Sequence, residues 1–213
     1  MTCDKRQMPL YAVTDRAWLN GRSLFDVVEA ALRGGATCIQ LREKTLEHGA
    51  FLREAEELIG LCRRREVPLI VNDDVEIALE SGADGVHIGQ HDASAVEVRR
   101  RIGPDRILGV SAQTVEQAVK AERDGADYLG VGAVFSTGTK PDADDVRYDT
   151  LRAICEAVSI PVVAIGGITR DNLGQLAGSG IDGVAVVSAI FAAEDPEAAA
   201  RALRETVRRE LGV

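Results

Sequence analysis

The chain has 213 residues, of which 46% are hydrophobic and 28% are charged, so it is long enough for one sizeable core and has the composition of an ordinary globular protein. That composition excludes disordered, collagen-like and disulfide-scaffold proteins. The 25 Lys and Arg residues against 34 Asp and Glu give a net charge of −9, which excludes a global basic field for nucleic acid or an anionic membrane.

The four cysteines indicate a reducing environment. Cys3, Cys38, Cys62 and Cys155 are widely scattered and have no CxxC spacing, which argues against a zinc site, a redox motif and a disulfide framework. Residues 1–9 lack an apolar signal segment, and no run approaches the roughly 18 apolar residues of a membrane span. We therefore expect one cytoplasmic domain over residues 1–213, with no nucleic-acid or membrane partner. A homo-oligomer is compatible with the sequence.

Short apolar runs rich in β-branched residues recur along the whole chain. Most of them are continuous rather than alternating, as expected of parallel strands that are covered on both faces. The predicted strands are Leu10 to Val13, Cys38 to Leu41, Val67 to Val71, Gly85 to Ile88, Ile107 to Val110, Tyr128 to Val131, Pro161 to Ile165 and Gly183 to Val187.

The stretches between these runs have helical periodicity and helix-end signals. Thr114 and Gln117 have the spacing of a capping box, and Asp195 precedes Pro196 as an N-cap precedes a first helical proline. The final stretch places Leu203, Val207 and Leu211 on one helix face.

Glycines recur just before four of the predicted strands. Gly34-Gly35, Gly82, Gly125 and Gly180 each fit a left-handed residue that ends a helix and turns the chain into the next strand. Eight such strand and helix units in 213 residues leave about 27 residues each. The sequence therefore predicts a single (β/α)8 TIM barrel in the α/β class, with an open doubly wound sheet as the alternative.

Chemically active residue types follow the predicted strands. In a barrel the carboxyl ends of the strands meet at one rim, so residues scattered over the chain would converge there. The residues at or just after these strand ends are Arg42, Lys44, Asn72, Asp73, His87, Gln90, His91, Asp92, Ser111, Thr137, Thr139, Lys140, Gly166, Gly167, Val187 and Ser188.

The end of the chain offers a monophosphate site. Gly166 and Gly167 follow the seventh predicted strand, and Ser188 follows the eighth and leads into a helix. Barrels commonly bind a phosphate at this place through backbone N–H groups. The glycine pair alone would equally fit a tight turn.

Three cations and two carboxylates offer a second anion site. Arg42, Lys44 and Lys140 can offset a highly charged anion, and Asp73 and Asp92 supply the oxygen ligands that Mg²⁺ prefers. Two anion sites in one pocket indicate a reaction that joins two phosphorylated molecules, with pyrophosphate as leaving group.

Each of these residues also has an ordinary structural interpretation. Asp73 and Asp92 could be helix N-caps, and the segment from Arg42 to Lys44 could be a solvated charged loop. Ser111 could be satisfied by local backbone, and His87 fits a hydrogen-bonded core histidine better than a catalytic one. Their shared position after the strands favours a common site.

The longest irregular stretch runs from Phe135 to Val146 and contains Gly138 and Pro141. Loops of this length are usually functional lids or disordered segments. As a lid, this one would close over the site and exclude water.

At these residues the sequence resembles thiamine-phosphate synthase, also called thiamine phosphate pyrophosphorylase. The resemblance extends in order over nearly the whole chain. The matching segments are Tyr11 to Asp15, Gln40 to Lys44, Val71 to Asp74, His87 to Asp92, Thr137 to Lys140, Ala164 to Ile168 and Val187 to Ile190.

The resemblance implies a (β/α)8 barrel that joins hydroxymethylpyrimidine pyrophosphate to thiazole phosphate, giving thiamine monophosphate and pyrophosphate through a pyrimidine-methyl cation. It implies that the first substrate is held by Gln40, Arg42, Lys44, Asn72, Ser111 and Lys140. It implies that the second is held by Thr137, Thr139, Gly167, Val187 and Ser188. One Mg²⁺ ion would bind Asp73 and Asp92.

The chain departs from the family pattern at three positions. Ala133 and Ser136 stand where prolines are expected, and Gln113 stands where a histidine is usual. Two other functions remain alternatives, a thiazole tautomerase of the same superfamily and a non-catalytic sensor of phosphorylated ligands. A tautomerase would need the histidine that Gln113 replaces and would lack the two carboxylates, which is the reverse of what this sequence has.

Overall fold

Eight parallel strands close into a barrel in chain order. The computed structural model describes residues 4–136 and 146–213. The (β/α)8 prediction is confirmed, and the open-sheet alternative is wrong because β1 pairs with β8 as well as with β2. The strands are β1 Leu10–Val13, β2 Cys38–Leu41, β3 Leu69–Asn72, β4 Gly85–Ile88, β5 Ile107–Ala112, β6 Tyr128–Val131, β7 Val162–Ile165 and β8 Gly183–Val186.

Helices cover the outside of the barrel. They are α1 Leu24–Arg33, α2 His48–Arg63, α3 Val75–Ser81, α4 Ala95–Ile102, α5 Val115–Arg123, α6 Tyr148–Ala157, α7 Ser188–Phe191 and α8 Pro196–Leu211. Within residues 4–136 and 146–213, no helix combines the length and the apolar character that crossing a bilayer requires.

The connection from β7 to β8 departs from the predicted repeat. It contains a 3-10 helix, Leu173–Leu176, where an α-helix was expected. Gly174 lies inside this segment, and Gly178 and Gly180 follow it with φ of +78° and +90°. Glycines at this density disfavour a longer helix.

The helix ends follow the sequence signals with one difference. Asp195 accepts a hydrogen bond from Ala198 N at 3.0 Å, which confirms the predicted cap of α8. Thr114 accepts one from Gln117 N at 3.2 Å, but Gln117 Oε1 accepts from Gln113 N at 2.7 Å instead of from Thr114 N. The predicted capping box is therefore only half formed.

The core has two parts. The larger lies between the barrel and the helices, and the smaller fills the barrel interior with residues such as Ile70, Ile107 and Val163. The interior also holds two tyrosines, Tyr11 and Tyr128, each 1% exposed. Because apolar side chains alone could fill this space, the buried hydroxyls need a separate explanation.

Candidate active site at the carboxyl ends of the strands

Several predicted site residues lie inside strands and not after them. Asn72 is the last residue of β3 and is paired with His87 of β4. Strand β5 continues through Ala112, so that Ser111 is paired with Gly130 of β6. The sequence placed the end of β5 two residues too early because the apolar run stops at Val110.

Gln40 and Ser111 contact buried aromatic side chains in the barrel. Gln40 is 5% exposed, and its Nε2 donates to the Tyr11 hydroxyl at 3.0 Å. Ser111 Oγ lies 3.0 Å from His87 Nε2, and His87 Nδ1 lies 2.9 Å from the Tyr128 hydroxyl. His87 is thus the hydrogen-bonded core histidine that the sequence favoured, and Ser111 bonds to it instead of to local backbone.

Arg42 is a buried cation directly after β2. Its side chain is 7% exposed, and Nη1 donates to Asp15 Oδ2 at 2.8 Å. Its Nη2 is buried and has no hydrogen-bond partner within residues 4–136 and 146–213. A buried guanidinium nitrogen without a hydrogen-bond partner costs free energy unless an acceptor, such as an oxygen of an anion, completes it. The interpretation of Arg42 as part of a solvated loop is therefore wrong.

Lys44 lies at the edge of a cleft of about 460 Å³. Asn72 and Asp73 also line this cleft, as does Arg101 from α4. Lys44 itself is exposed. The cleft brings an amide and two cations together with four carboxylates, those of Glu43, Asp73, Asp74 and Glu76, and Arg101 pairs with Glu76. An anionic ligand in this cleft would therefore need a metal counterion.

Asp73 has an uncommon backbone conformation. Its φ is +63°, in the left-handed region, and its N–H donates to His87 O at 2.8 Å. The N-cap of α3 is the next residue, Asp74, which accepts from Ile77 N at 2.9 Å. The structure thus excludes the N-cap interpretation of Asp73, and a non-glycine residue held at positive φ is a feature that clusters at functional sites.

Asp92 is not a helix cap either. Its Oδ2 accepts a hydrogen bond from Gly89 N at 2.7 Å, and Ser94 caps α4. No group of three or more His, Cys, Asp or Glu residues that could hold a metal occurs in the described part of the chain. Asp73 and Asp92 carry the oxygen ligands that Mg²⁺ prefers, and this ion usually keeps several waters and binds substrate phosphates.

Gly166 and Gly167 form a tight turn after β7. Their φ values are +105° and +62°. A Cβ atom at Gly167 would lie 2.5 Å from Ser136 O and 2.8 Å from Phe135 O, which is too close for any side chain. The two glycines therefore let the segment after β7 pack against the segment after β6. Phe135 N donates to Gly166 O at 3.1 Å across this contact.

Val187 and Ser188 stand between β8 and the short helix α7. Val187 O accepts from Ile190 N and Phe191 N, at 3.2 and 3.0 Å. The N–H groups of Ser188 and Ala189 precede these first hydrogen bonds of the helix, as the first N–H groups of any helix do.

Three predicted site residues, Thr137, Thr139 and Lys140, lie outside the described residues. The segments that flank them meet at the rim, where Val146 N donates to Ala133 O at 2.7 Å. The role of the loop as a lid stays a prediction.

Sequence reasoning assigned no role to Asp15, Tyr11 or Tyr128. Asp15 follows β1 at the same rim, so its position was a usable signal for its ion pair with Arg42. The hydroxyls of Tyr11 and Tyr128 lie 2.8 Å apart across the barrel. This contact joins residues 117 positions apart, and only the barrel register brings them together.

A buried glutamate adjoins the site. The Glu43 side chain is 2% exposed and pairs with Arg16 Nε at 2.8 Å. Burial raises the pKa of Glu43 to about 7; the pairing with Arg16 opposes this shift, and the nearby Glu54 adds to it. Arg16 also pairs with Glu54.

Comparisons with known proteins show the family to which this chain belongs. The family model for thiamine monophosphate synthase matches residues 10–190. The thiamine-phosphate synthase of Chloroflexus aurantiacus is 54% identical over 93% of this chain and 92% of its own, and that of Clostridium tetani is 50% identical over 91% and 93%. The structure of thiamine phosphate pyrophosphorylase from Pyrococcus furiosus superimposes with a TM-score of 0.90 at 40% identity, over 98% of this chain and 99% of that one. The chain belongs to the thiamine monophosphate synthase family.

Proposed function

We propose that the protein is a thiamine-phosphate synthase that joins hydroxymethylpyrimidine pyrophosphate to thiazole phosphate, with one Mg²⁺ bound. The observation that carries this proposal is Arg42, whose buried guanidinium is paired on one side by Asp15 and has an Nη2 without a partner among the described residues. A pyrophosphate oxygen is the complement that this nitrogen needs.

The first substrate would lie against the ends of strands β2, β3 and β5. Gln40 and Ser111 offer polar groups inside the barrel mouth, and Lys44 and Asn72 line the adjoining cleft. Side chains from β2, β3 and β5 would thus fix the pyrimidine and its pyrophosphate together. The full set in this proposal is Gln40, Arg42, Lys44, Asn72, Ser111 and Lys140.

The donor set at the rim fits magnesium. Asp73 and Asp92 would hold the ion, because Asp92 uses one oxygen for Gly89 N and no described residue occupies the other. When bound, Mg²⁺ would neutralise charge on the pyrophosphate leaving group.

The second substrate would lie on the other side of the mouth. Gly167 and Ser188 offer backbone N–H groups after β7 and β8 for its monophosphate. The full set in this proposal is Thr137, Thr139, Gly167, Val187 and Ser188.

The proposed reaction needs alignment and leaving-group stabilisation. The bond between the pyrimidine methylene carbon and the pyrophosphate oxygen breaks, and both electrons leave with the oxygen. The resulting cation accepts the lone pair of the thiazole nitrogen, which forms the new carbon–nitrogen bond. Arg42 and Lys44 would stabilise the departing charge, and the two substrate sets would hold the reacting atoms in line. Neither step transfers a proton.

The test is direct coupling. Incubating both substrates with Mg²⁺ should give thiamine monophosphate and pyrophosphate in equal amounts, and excess chelator should abolish both products. Formation of products at an undiminished rate in chelator would contradict the metal requirement. Absence of coupling under all conditions would overturn the proposed function.

A second experiment distinguishes this function from the tautomerase alternative. Gln113 is half-buried after β5 and has an amide that cannot exchange protons near neutral pH. The protein should therefore fail to isomerise the thiazole carboxylate tautomer, and Gln113→His should leave coupling within about tenfold. Efficient isomerisation without coupling would favour the tautomerase.

A further inference from the structure

A row of hydrogen bonds crosses the barrel interior from Gln40 to Ser111. Gln40 Nε2 donates to the Tyr11 hydroxyl at 3.0 Å, and the Tyr11 and Tyr128 hydroxyls are 2.8 Å apart. Tyr128 is 2.9 Å from His87 Nδ1, and His87 Nε2 is 3.0 Å from Ser111 Oγ. The row thus links two residues of the proposed pyrimidine site through three buried rings on β1, β6 and β4.

The barrel leaves space for these rings. A Cβ atom at Gly109 of β5 would collide with the Tyr128 ring and with His87 Nδ1. A Cβ atom at Gly130 of β6 would lie 3.0 Å from His87 Cε1. Two interior positions that could carry apolar side chains are therefore glycines, and polar rings occupy the space. Since apolar residues would fill it without needing partners, hydrogen bonding distinguishes these rings from ordinary core.

The count of protons gives the row a direction. The Gln40 amide nitrogen can only donate, so the Tyr11 oxygen accepts from it. The buried Tyr11 hydroxyl has no other hydrogen-bond partner among the described residues than Gln40 and Tyr128, so its own proton is satisfied by donating to Tyr128. Burial raises the pKa of Tyr11 well above its usual value, which agrees with a hydroxyl that keeps its proton. Tyr128 then donates to His87 Nδ1, which leaves the proton of a neutral imidazole on Nε2, facing Ser111.

The two ends of the row therefore offer different hydrogen-bonding groups to a ligand, an acceptor at Gln40 and a donor at Ser111. Gln40 Oε1 is an acceptor that no described residue uses. Ser111 Oγ accepts from His87, so its own proton is available to a ligand. A ring that presents an amino donor towards Gln40 and a nitrogen acceptor towards Ser111 matches this pattern, as an aminopyrimidine does. A ring with an oxo group in place of the amino group has the opposite pattern.

We propose that Tyr11, Tyr128 and His87 are positioning residues that hold Gln40 as acceptor and Ser111 as donor, and so select an aminopyrimidine over its oxo analogue. This inference rests on the proposed function, because it takes Gln40 and Ser111 to contact the pyrimidine. The three residues act through their neighbours. Loss of a hydrogen bond from the row should let the Gln40 amide and the Ser111 hydroxyl rotate. They could then bond to the aminopyrimidine or to its oxo analogue.

The test compares two tyrosine variants. Tyr128→Phe keeps the ring and removes the hydroxyl in the middle of the row. Tyr148→Phe removes the hydroxyl of the third tyrosine, which donates to Ala177 O at 2.9 Å outside the barrel. For each protein, kcat/KM is measured with hydroxymethylpyrimidine pyrophosphate and with its 4-oxo analogue, at saturating thiazole phosphate.

We expect Tyr128→Phe to lower the preference for the amino substrate by about tenfold or more, with the KM for thiazole phosphate unchanged. Tyr148→Phe should leave the preference as in the wild type. A merely structural role would lower activity towards both pyrimidines equally. An unchanged preference in a folded Tyr128→Phe protein would overturn the proposal.

A second measurement needs no variant at Tyr128 and no turnover. The ¹⁵N shifts of His87, assigned with the aid of His48→Gln and His91→Gln variants, should report a neutral ring with its proton on Nε2. A ring protonated on Nδ1 in the wild type would reverse the row and overturn the proposal. If the wild type fails to couple its substrates, the proposed function fails whatever the tautomer; if it couples and the tautomer is wrong, only the positioning role fails.

Discussion

Asp73 combines a charge at the rim with a left-handed backbone, and the two can be separated by mutation. Asn tolerates this backbone conformation as Asp does, so Asp73→Asn removes only the charge. We expect Asp73→Asn to lower turnover at least about 100-fold with little loss of stability, since metal-bound charge contributes several kcal/mol. Asp73→Ala should in addition lose about 1 kcal/mol, because Ala is strained at φ of +63°. Steady-state rates and thermal unfolding measure both effects.

The adjacent carboxylate provides the matched control. Asp74 caps α3, and Asn caps helices as well as Asp does, so Asp74→Asn should keep both stability and turnover. Full activity of Asp73→Asn would contradict its role as a magnesium ligand.

Glu43 should make stability depend on pH in a predictable direction. Its pKa is raised from 4.5 to about 7 in the folded protein, so between these values the folded state binds more protons than the unfolded state. The free energy of unfolding therefore falls as pH rises from about 4.5 to 7, and the loss from this group is complete above pH 7. Glu43→Gln is neutral at every pH and should escape this loss. Its advantage over the wild type should grow across this window and then level off, as measured by urea unfolding.

The control for this effect is an exposed glutamate on α2. Glu57→Gln should change the urea midpoint by a small and constant amount at all pH values, because the side chain is solvated. A Glu43→Gln advantage that is constant from pH 4.5 to 8 would show that Glu43 titrates normally.

At the scale of elements, the turn after β7 depends on its contact with the segment after β6. A side chain at Gly167 would block the approach of a phosphate to its backbone N–H group, and the added Cβ atom would also meet Phe135 O and Ser136 O. Gly167→Ala should therefore lower stability by about 1 to 3 kcal/mol and also raise the KM for thiazole phosphate. Gly21→Ala is the matched control, because Gly21 has φ of +80° and no atom within 4 Å of the added Cβ. An equal loss of stability in both variants would show that backbone strain alone accounts for the effect.

Sequence patterns predicted the bounds of those strands whose ends are marked by a change of residue type in the local sequence. The apolar runs gave β1, β2, β4 and β6 with the observed bounds, because each run is followed by a polar residue or a glycine, namely Thr14, Arg42, Gly89 and Gly132. The pattern failed at β5, where Ser111 continues the strand as a polar residue facing the barrel. The pattern also predicted an α-helix before β8, where the structure has the 3-10 helix Leu173–Leu176.

For the candidate site, too, the sequence predicted the features set by local sequence and missed those set by contacts between distant strands. Strand-end position alone predicted that Arg42 and Asp73 lie at the rim, where the structure has them, since parallel strands bring their carboxyl ends together. The row through Tyr11 and Tyr128 was missed, because only the register of the closed barrel brings these two rings together. Pairing between distant strands leaves no local trace in a single sequence.

At the scale of the whole molecule, the two proposed substrate sites would divide the rim between two anions. Apart from Lys140, the proposed pyrimidine residues belong to the ends of β2, β3 and β5, and the proposed thiazole residues follow β6, β7 and β8. The net charge of −9 opposes both ligands at long range. Binding of pyrophosphate must therefore depend on local cations and on the metal.

Inorganic pyrophosphate should stabilise the folded protein only when Mg²⁺ is present, because the metal offsets both the rim carboxylates and the ligand charge. At a ligand concentration 100 times Kd the stabilisation is about 2.7 kcal/mol, which for a chain of this size raises Tm by roughly 5 to 10 °C. In excess chelator the rise should shrink to about 1 °C. Lys44→Met should reduce the rise seen with Mg²⁺, whereas Lys120→Met, which removes a lysine paired with Asp124 on the outer helix α5, should not. Equal stabilisation with Mg²⁺ and with chelator would mean that the protein's own cations suffice and that Asp73 and Asp92 hold no metal for this anion.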